Sequence, residues 1–266
     1  MINSGSQIIE ANIYSNALGK EMNLCVYLPA EYEGTERLPV LYLLHGRSGD
    51  EKFIYDVGVK EVADRLIDCD EMMPLIIVCP NMENSRGLNS ADTCTEVVSS
   101  NGMIINLGRY EDYFINEIIP FVDSHFKTFA DRRFRYIGGA SAGGYEALHF
   151  ALRYQSLFTR VGGHMPALEL TLEEEDRPYF CSEEMWKEYD PLYIAAGKNI
   201  LEDMHFYLDA GDKDEGGFYK GCAALGMILK NREIDVQNHV FAGHHNVTYL
   251  QDNLDKYLRF YAPVKE

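Results

Sequence analysis

The chain has 266 residues and a mass of 30.3 kDa, and its 46% hydrophobic content is enough for a large core, which excludes wholesale disorder. The chain has 24 Lys and Arg residues and 42 Asp and Glu residues, which gives a net charge of −18. Nucleic acids and anionic lipid surfaces both require a cationic face, so this balance argues against either as a partner. No apolar run approaches the roughly 18–20 residues that span a bilayer.

The N-terminus and the cysteines indicate a cytoplasmic protein. Residues 1–7 have neither the basic start nor the long apolar stretch of a secretory signal. The six cysteines are scattered and form no CxxC pair: Cys25, Cys69, Cys79, Cys94, Cys181 and Cys222. We therefore expect free thiols in a reducing compartment, with disulfides as the alternative.

Strand-like and helix-like segments alternate along the chain. In chain order, strands are predicted at 23–28, 38–44, 75–78, 134–137, 205–208 and 236–241. Helices are predicted at 59–69, 110–126 (interrupted at Pro120), 144–154 and 247–258. This order predicts an α/β fold in which helices cover both faces of a mainly parallel sheet, within one domain over residues 1–266.

Residues 165–200 break the alternation. They contain the acidic run 173–176, then Pro178, Tyr179, Phe180 and the only tryptophan, Trp186. We expect the acidic run to be the solvated face of a loop rather than a metal site. The aromatic residues fit a cap over a pocket and local packing equally well.

The sharpest chemical signal is the pentapeptide Gly139-Ala140-Ser141-Ala142-Gly143. A GxSxG string alone is weak, but here a predicted strand precedes it and a predicted helix follows it. That context is typical of a nucleophile elbow, a turn so sharp that side chains at the flanking glycines would clash. The sequence therefore predicts Ser141 as a catalytic nucleophile, the alternative being an incidental serine in a glycine-rich turn.

A serine nucleophile also needs an acid, a base and an oxyanion hole. In this architecture the acid and then the histidine follow the serine along the chain. His244 and His245 follow the last predicted strand, and acid candidates follow the strand before it within residues 209–215. For the oxyanion hole, the N–H of Ala142 needs a second donor, and the loop after the strand 38–44 offers the backbone of Arg47. The side chain of His45 is expected to brace that loop.

With these pieces in place, the chain resembles the putative-esterase family of α/β-hydrolases over roughly residues 8–260. Besides the elbow, the resemblance is carried by the segments 38–46, 74–81, 110–113 and 117–120 and by Gly243-His244. That family includes feruloyl and acetylxylan esterases, S-formylglutathione hydrolases, siderophore esterases and mycolyltransferases, and the feruloyl-esterase branch is the most similar.

The resemblance implies particular site residues. Ser141 matches the nucleophile, and the family's acid lies three residues after a strand-ending glycine, so Gly211 selects Asp214 over Asp212. The family's histidine directly follows a glycine and precedes an aromatic residue by five positions, which selects His244 over His245. The chain departs from the family in having Ala142 where methionine is usual and His245 where an acidic residue is common.

The sequence thus predicts a serine carboxylic-ester hydrolase that works through an acyl-enzyme and uses no metal or organic cofactor. It makes no prediction of the oligomeric state. The resemblance implies acetyl or hydroxycinnamoyl (feruloyl) esters of oligosaccharides, taken up as fragments, as substrates. An S-formylglutathione thioesterase and a siderophore-type ester hydrolase are alternatives. A non-catalytic binding protein on the same fold is a third reading.

Overall fold

The computed structural model describes residues 5–180 and 182–264, and the central feature of this part is an eight-stranded sheet. The strands are β1 (Gln7–Ser15), β2 (Lys20–Leu28), β3 (Val40–Leu44), β4 (Ile76–Pro80), β5 (Thr95–Val98), β6 (Ile104–Leu107), β7 (Arg135–Ala140), β8 (Arg160–His164), β9 (His205–Gly211) and β10 (Asp235–Phe241). The sheet order is β1-β2-β4-β3-β7-β8-β9-β10, while β5 and β6 form a separate hairpin. From β4 through β10 all neighbouring strands are parallel.

The helices lie on both faces of the sheet. They are α1 (Phe53–Asp56), α2 (Val59–Asp68), α3 (Tyr110–Asp112), α4 (Ile119–His125), α5 (Ala142–Arg153), α6 (Glu183–Tyr189), α7 (Pro191–Gly197), α8 (Tyr219–Asn231) and α9 (Val247–Tyr261). Successive residues of β8 point to opposite faces: a side chain at Gly162 would meet Tyr261 of α9, and one at Gly163 would meet Leu148 of α5. The predicted α/β class, with a mainly parallel sheet between helices, is confirmed.

The core strands are apolar because both of their faces are covered. Every residue of β3, β4 and β7 is buried, as expected for parallel strands between two helical layers. The strand β8 was missed by sequence reasoning, since its glycines lack the β-branched signature of a strand. Those glycines are required by packing, because Tyr261 and Leu148 occupy the space that larger side chains would fill.

The helical run that contains Pro120 is continuous rather than broken. A π-helical segment, Tyr113–Ile118, joins α3 to α4, and Pro120 falls in the first turn of α4. Inside a continuous helix a proline leaves one carbonyl without its N–H partner, and the wider π-helical turn directly before Pro120 accommodates that loss. The helix predicted over this region is therefore present, with a wider turn in place of a break.

Two further sequence expectations concern the cysteines and membrane-spanning helices. Cys25, Cys69, Cys79, Cys94 and Cys222 are free thiols, and Cys181 lies outside the described residues. Among the helices of the described residues, none is long and apolar enough to cross a membrane.

Candidate active site

The serine elbow lies at the carboxyl end of β7, in the middle of the sheet. Ser141 has φ 55° and ψ −115°, a conformation that side chains rarely adopt, and its N–H donates to the carbonyl of His164 (3.0 Å). A Cβ atom at Gly139 would lie 2.8 Å from the Leu44 carbonyl oxygen, and one at Gly143 would lie 2.5 Å from that same oxygen. The turn is therefore possible only with glycine on both sides of the serine.

Asp214 lies on the loop that follows β9. Its side chain is fully shielded, with Oδ1 accepting the N–H of Gly216 (2.9 Å) and Oδ2 facing Nδ1 of His245 (2.8 Å). Asp212, the rejected candidate, accepts the N–H of Gly243 (2.9 Å) and so ties this loop to the one after β10. The structure brings Asp214 to a histidine and leaves Asp212 as a turn residue.

The histidine that faces Ser141 is His245. Its Nε2 lies 2.9 Å from Ser141 Oγ, and its Nδ1 is the nitrogen that faces Asp214. This geometry corrects the choice of His244, whose Nδ1 instead pairs with Glu215 (2.7 Å) and whose side chain is 53% exposed, against 23% for His245.

The error has a physical cause in the backbone of the histidine loop. His245 lines the cavity on which Ser141 opens, whereas the ring of His244 contacts Glu215. Asp214 holds the His245 ring. Glu215 supports this arrangement, because its two oxygens hold the His244 ring and the backbone N–H of His245 (3.0 Å). Those two contacts lower the pKa of Glu215 to about 2, with the His245 N–H as the larger cause.

The remaining candidates from the sequence have partners elsewhere. Asp209 is fully buried within β9, where it pairs with His164 (3.0 Å) and accepts the hydroxyls of Tyr249 (2.6 Å) and Tyr257 (2.7 Å). Tyr249, the aromatic residue used to select His244, therefore packs beneath the site. Two other histidines that follow Ser141 in the chain also have carboxylate partners, since Glu111 holds His149 and Asp235 holds His205.

The loop after β3 faces the elbow. His45 is buried, donates from Nδ1 to the carbonyl of Gly46 (2.8 Å) and accepts the N–H of Met82 at Nε2 (2.9 Å). Burial lowers the pKa of His45, which favours this neutral tautomer. The side chain thus braces the loop, as expected, and Arg47 and Ala142 both line the cavity on which Ser141 opens.

That cavity has a volume of about 500 Å³ and a mixed lining. Its apolar part comes from Phe53, Met165, Phe218, Val247 and Leu250. Its carboxylates are Asp56, Glu169 and Glu175, and its guanidinium is that of Arg47, which pairs with Asp176 (2.8 Å). Within residues 5–180 and 182–264, no cationic side chain on the cavity wall lacks a carboxylate partner.

The segment 165–200 divides into two parts. Met165, Ala167, Glu169 and Glu175 line the cavity. Tyr179, Phe180 and Trp186 instead form a separate apolar cluster with Leu88 and Ile105. The prediction that the acidic run is solvated holds for Glu173 and Glu174, which are exposed. It is wrong for Asp176, which is buried between two arginines.

A serine on a strand-turn-helix elbow, with an aspartate and a histidine after later strands of a mainly parallel sheet, defines the α/β-hydrolase class. The family model described as putative esterase matches residues 15–261, and the chain belongs to this family. The resemblance to the putative-esterase family that the sequence suggested is therefore confirmed.

Individual relatives are more distant. Esterase Rv1288 of Mycobacterium tuberculosis is 29% identical over 153 residues, which cover 56% of this chain and 30% of that protein. The chain thus matches less than a third of the length of this curated relative. Among solved structures, a ferulic acid esterase superposes with a TM-score of 0.80 at 22% identity, covering 98% of both chains. An S-formylglutathione hydrolase from Agrobacterium tumefaciens gives a TM-score of 0.78 at 18% identity, covering 98% of this chain and 96% of the other. These superpositions confirm the α/β-hydrolase fold.

Proposed function

We propose that the protein is a serine carboxylic-ester hydrolase whose nucleophile is Ser141. The observation that carries this proposal is the hydrogen-bond chain from Ser141 Oγ through His245 to Asp214. Neutral His245 takes the serine proton at Nε2 as Oγ attacks the ester carbonyl carbon. Asp214 accepts the Nδ1–H, which fixes the tautomer and stabilises the imidazolium that forms.

The negative charge that develops on the carbonyl oxygen must be stabilised by hydrogen-bond donors, which form an oxyanion hole. Ala142 is the first residue of α5, so its N–H has no partner within the helix and is free for an oxyanion. We assign the second donor to the backbone of Arg47, because the loop after β3 lines the same cavity. Each such donor stabilises the transition state by about 3–4 kcal/mol.

The reaction then proceeds through an acyl-enzyme. The tetrahedral intermediate collapses, His245 gives its proton to the leaving alkoxide, and the alcohol departs. Water enters and attacks the acyl carbonyl while it loses a proton to His245. The second tetrahedral intermediate then collapses as His245 returns that proton to Ser141 Oγ, which releases the carboxylic acid. Every group in this cycle is a side chain or backbone N–H of this chain.

We further propose acetyl or feruloyl esters of oligosaccharides as substrates, with part of segment 165–200 acting as a cap over the site. The apolar residues of the cavity suit an aromatic acyl group, and about 500 Å³ suits a ligand of that size. Met165 and Glu175 on the wall support a role for this segment in substrate contact. The ferulic acid esterase among the structural neighbours supports the same class.

An S-formylglutathione substrate is disfavoured by the charge of the cavity. Glutathione carries two carboxylates and one ammonium group, so it needs cationic partners. The wall presents the carboxylates of Asp56 and Glu175, whereas Glu169 pairs with Arg86 and the guanidinium of Arg47 pairs with Asp176. A neutral feruloyl or acetyl ester avoids this repulsion.

The test is a comparison of purified wild-type protein and Ser141→Ala on methyl ferulate, p-nitrophenyl acetate and S-formylglutathione. We expect the wild-type protein to hydrolyse both oxygen esters, and its kcat/KM for S-formylglutathione to be at least tenfold lower than for either of them. In Ser141→Ala the rate on every substrate should fall by about 10⁴ or more. Labelling of wild type but not the variant by a fluorophosphonate probe locates the nucleophile. Ester hydrolysis that survives in Ser141→Ala would contradict the proposal.

A further inference from the structure

A buried ion cluster ties the acidic run to the loop that faces the serine. Asp176 is 3% exposed, and its Oδ1 accepts from Nη2 of Arg47 (2.8 Å) while its Oδ2 pairs closely with Arg86. Arg86 is 2% exposed and also contacts Glu169 (3.2 Å). One carboxylate therefore bridges two guanidinium groups that come from different loops.

The same cluster reaches the nucleophile from a second side. Arg86 donates to the carbonyl of Ala167 (3.1 Å), and the N–H of Ala167 donates to the carbonyl of Ser141 (2.9 Å). The Arg86 guanidinium also lies 4.9 Å from the ring centre of Tyr145 in α5. The loop of Arg47 and the elbow of Ser141 are thus fixed to one buried centre.

The charges of this centre are mutually dependent. Burial opposes the charge on Arg86, but Asp176 and Glu169 outweigh it and raise the pKa of Arg86 above its ordinary range. Without Asp176, the guanidinium groups of Arg47 and Arg86 would repel each other. Arg47 is the more exposed of the two, so its side chain would move away. Without this contact the Arg47 side chain no longer ties its backbone to the buried centre.

We propose that Asp176 is a positioning residue that holds the Arg47 loop, and with it the Arg47 N–H group, in place to stabilise the oxyanion formed at Ser141. This proposal rests on the ester-hydrolase function argued above. In it, the guanidinium of Arg47 serves as a tether, and the contact with the reacting oxygen is made by the backbone. The geometry of an oxyanion hole must be held within a few tenths of an ångström, and a tether by a charged pair supplies that precision.

The test uses Arg47→Met, which retains the backbone N–H and an unbranched stem but removes the tether, measured on the small neutral ester p-nitrophenyl acetate. We expect kcat to fall about tenfold to a hundredfold with KM changed less than twofold, because the lost contact acts in the transition state. The inhibition constant of 2,2,2-trifluoroacetophenone, which forms a tetrahedral oxyanion adduct, should rise by the same factor. Arg47→Lys should restore part of the rate.

The matched control is Arg177→Met, which removes an exposed guanidinium paired with Glu174 on the same segment. Its kinetics should equal those of wild type. A double-mutant cycle adds Asp176→Asn: if both residues act through one link, Arg47→Met should change the rate less than twofold in the Asp176→Asn background.

Two results would overturn the inference. One is an unchanged kcat and ketone affinity in Arg47→Met, and the other is a rise in KM alone, which would make Arg47 a substrate contact. Should Asp176→Asn fail to fold, Arg47→Met alone decides the question. Failure of the ester-hydrolase function itself would appear separately, as a wild-type protein that hydrolyses no ester.

Discussion

Ser141 and His245 both lie in short connections between a strand and a helix, yet the two connections are built differently. The elbow between β7 and α5 is fixed by steric fit, since Gly139 and Gly143 touch the backbone of β3. The histidine loop between β10 and α9 is fixed by polar contacts, in which Asp212, Asp214 and Glu215 hold its backbone and rings. The first connection leaves no room for a side chain at Gly139 or Gly143, whereas the second can be altered one contact at a time.

The largest effect expected from this difference concerns the acids of the histidine loop. Asp214→Asn removes the carboxylate that orients His245 and should lower kcat by about 10⁴, as loss of the orienting acid does in Ser-His-Asp enzymes. Asp212→Asn is the matched control, because an amide oxygen can still accept the Gly243 N–H, and its rate should stay within about threefold of wild type. A crippled Asp212 variant beside a normal Asp214 variant would reverse the assignment. Steady-state kinetics on one ester suffice.

The elbow should respond through stability as well as rate. In Gly143→Ala the new methyl group overlaps backbone atoms of Leu44 and His45 that cannot rotate away, so we expect a loss of about 3 kcal/mol or more in unfolding free energy. Gly197→Ala adds a methyl group at the end of α7 with no atom within 4 Å and should leave stability unchanged or raised by up to about 1 kcal/mol. Urea denaturation measures both. Equal stabilities for the two variants would show that the elbow is not sterically fixed.

The smallest effect is expected at Glu215. This exposed carboxylate holds the His245 N–H and the His244 ring, so Glu215→Ala should loosen the loop and lower kcat/KM about twofold to fivefold. The unfolding free energy should hardly change, since the contact lies at the surface. Glu174→Gln, at an exposed acid of segment 165–200, provides the control. A loss above a hundredfold would mean that Glu215 acts on the reaction itself.

The same difference between the elbow and the histidine loop explains which parts of the site could be predicted from the sequence. The elbow was predictable because steric demands leave a local signature, glycines around a serine between a strand and a helix. His245 was not, because His244 and His245 are chemically identical and are distinguished by contacts with Asp214 and Glu215, which lie 29 to 31 residues away in sequence. The family's glycine-histidine spacing selected the wrong neighbour for that reason.

The fold shows the same limit. Buried apolar strands such as β3 and β4 were predictable from their composition, whereas β8 depends on glycines whose need becomes visible only when Tyr261 and Leu148 are packed against them. The burial of Asp176 was equally hidden, because an acidic run is ordinarily solvated and its two arginines lie far away in sequence. Tertiary ion pairs leave no local pattern.

The role of His245 as the base is tested most directly by comparing His244→Gln with His245→Gln on p-nitrophenyl acetate, after circular dichroism has shown that both variants are folded. The two residues are neighbours of the same type, so every effect of composition and expression is matched. The geometry of the site predicts that kcat/KM falls by about 10⁴ or more in His245→Gln and by less than about threefold in His244→Gln. A His245 variant that keeps its activity while the His244 variant loses it would contradict the geometry of the site.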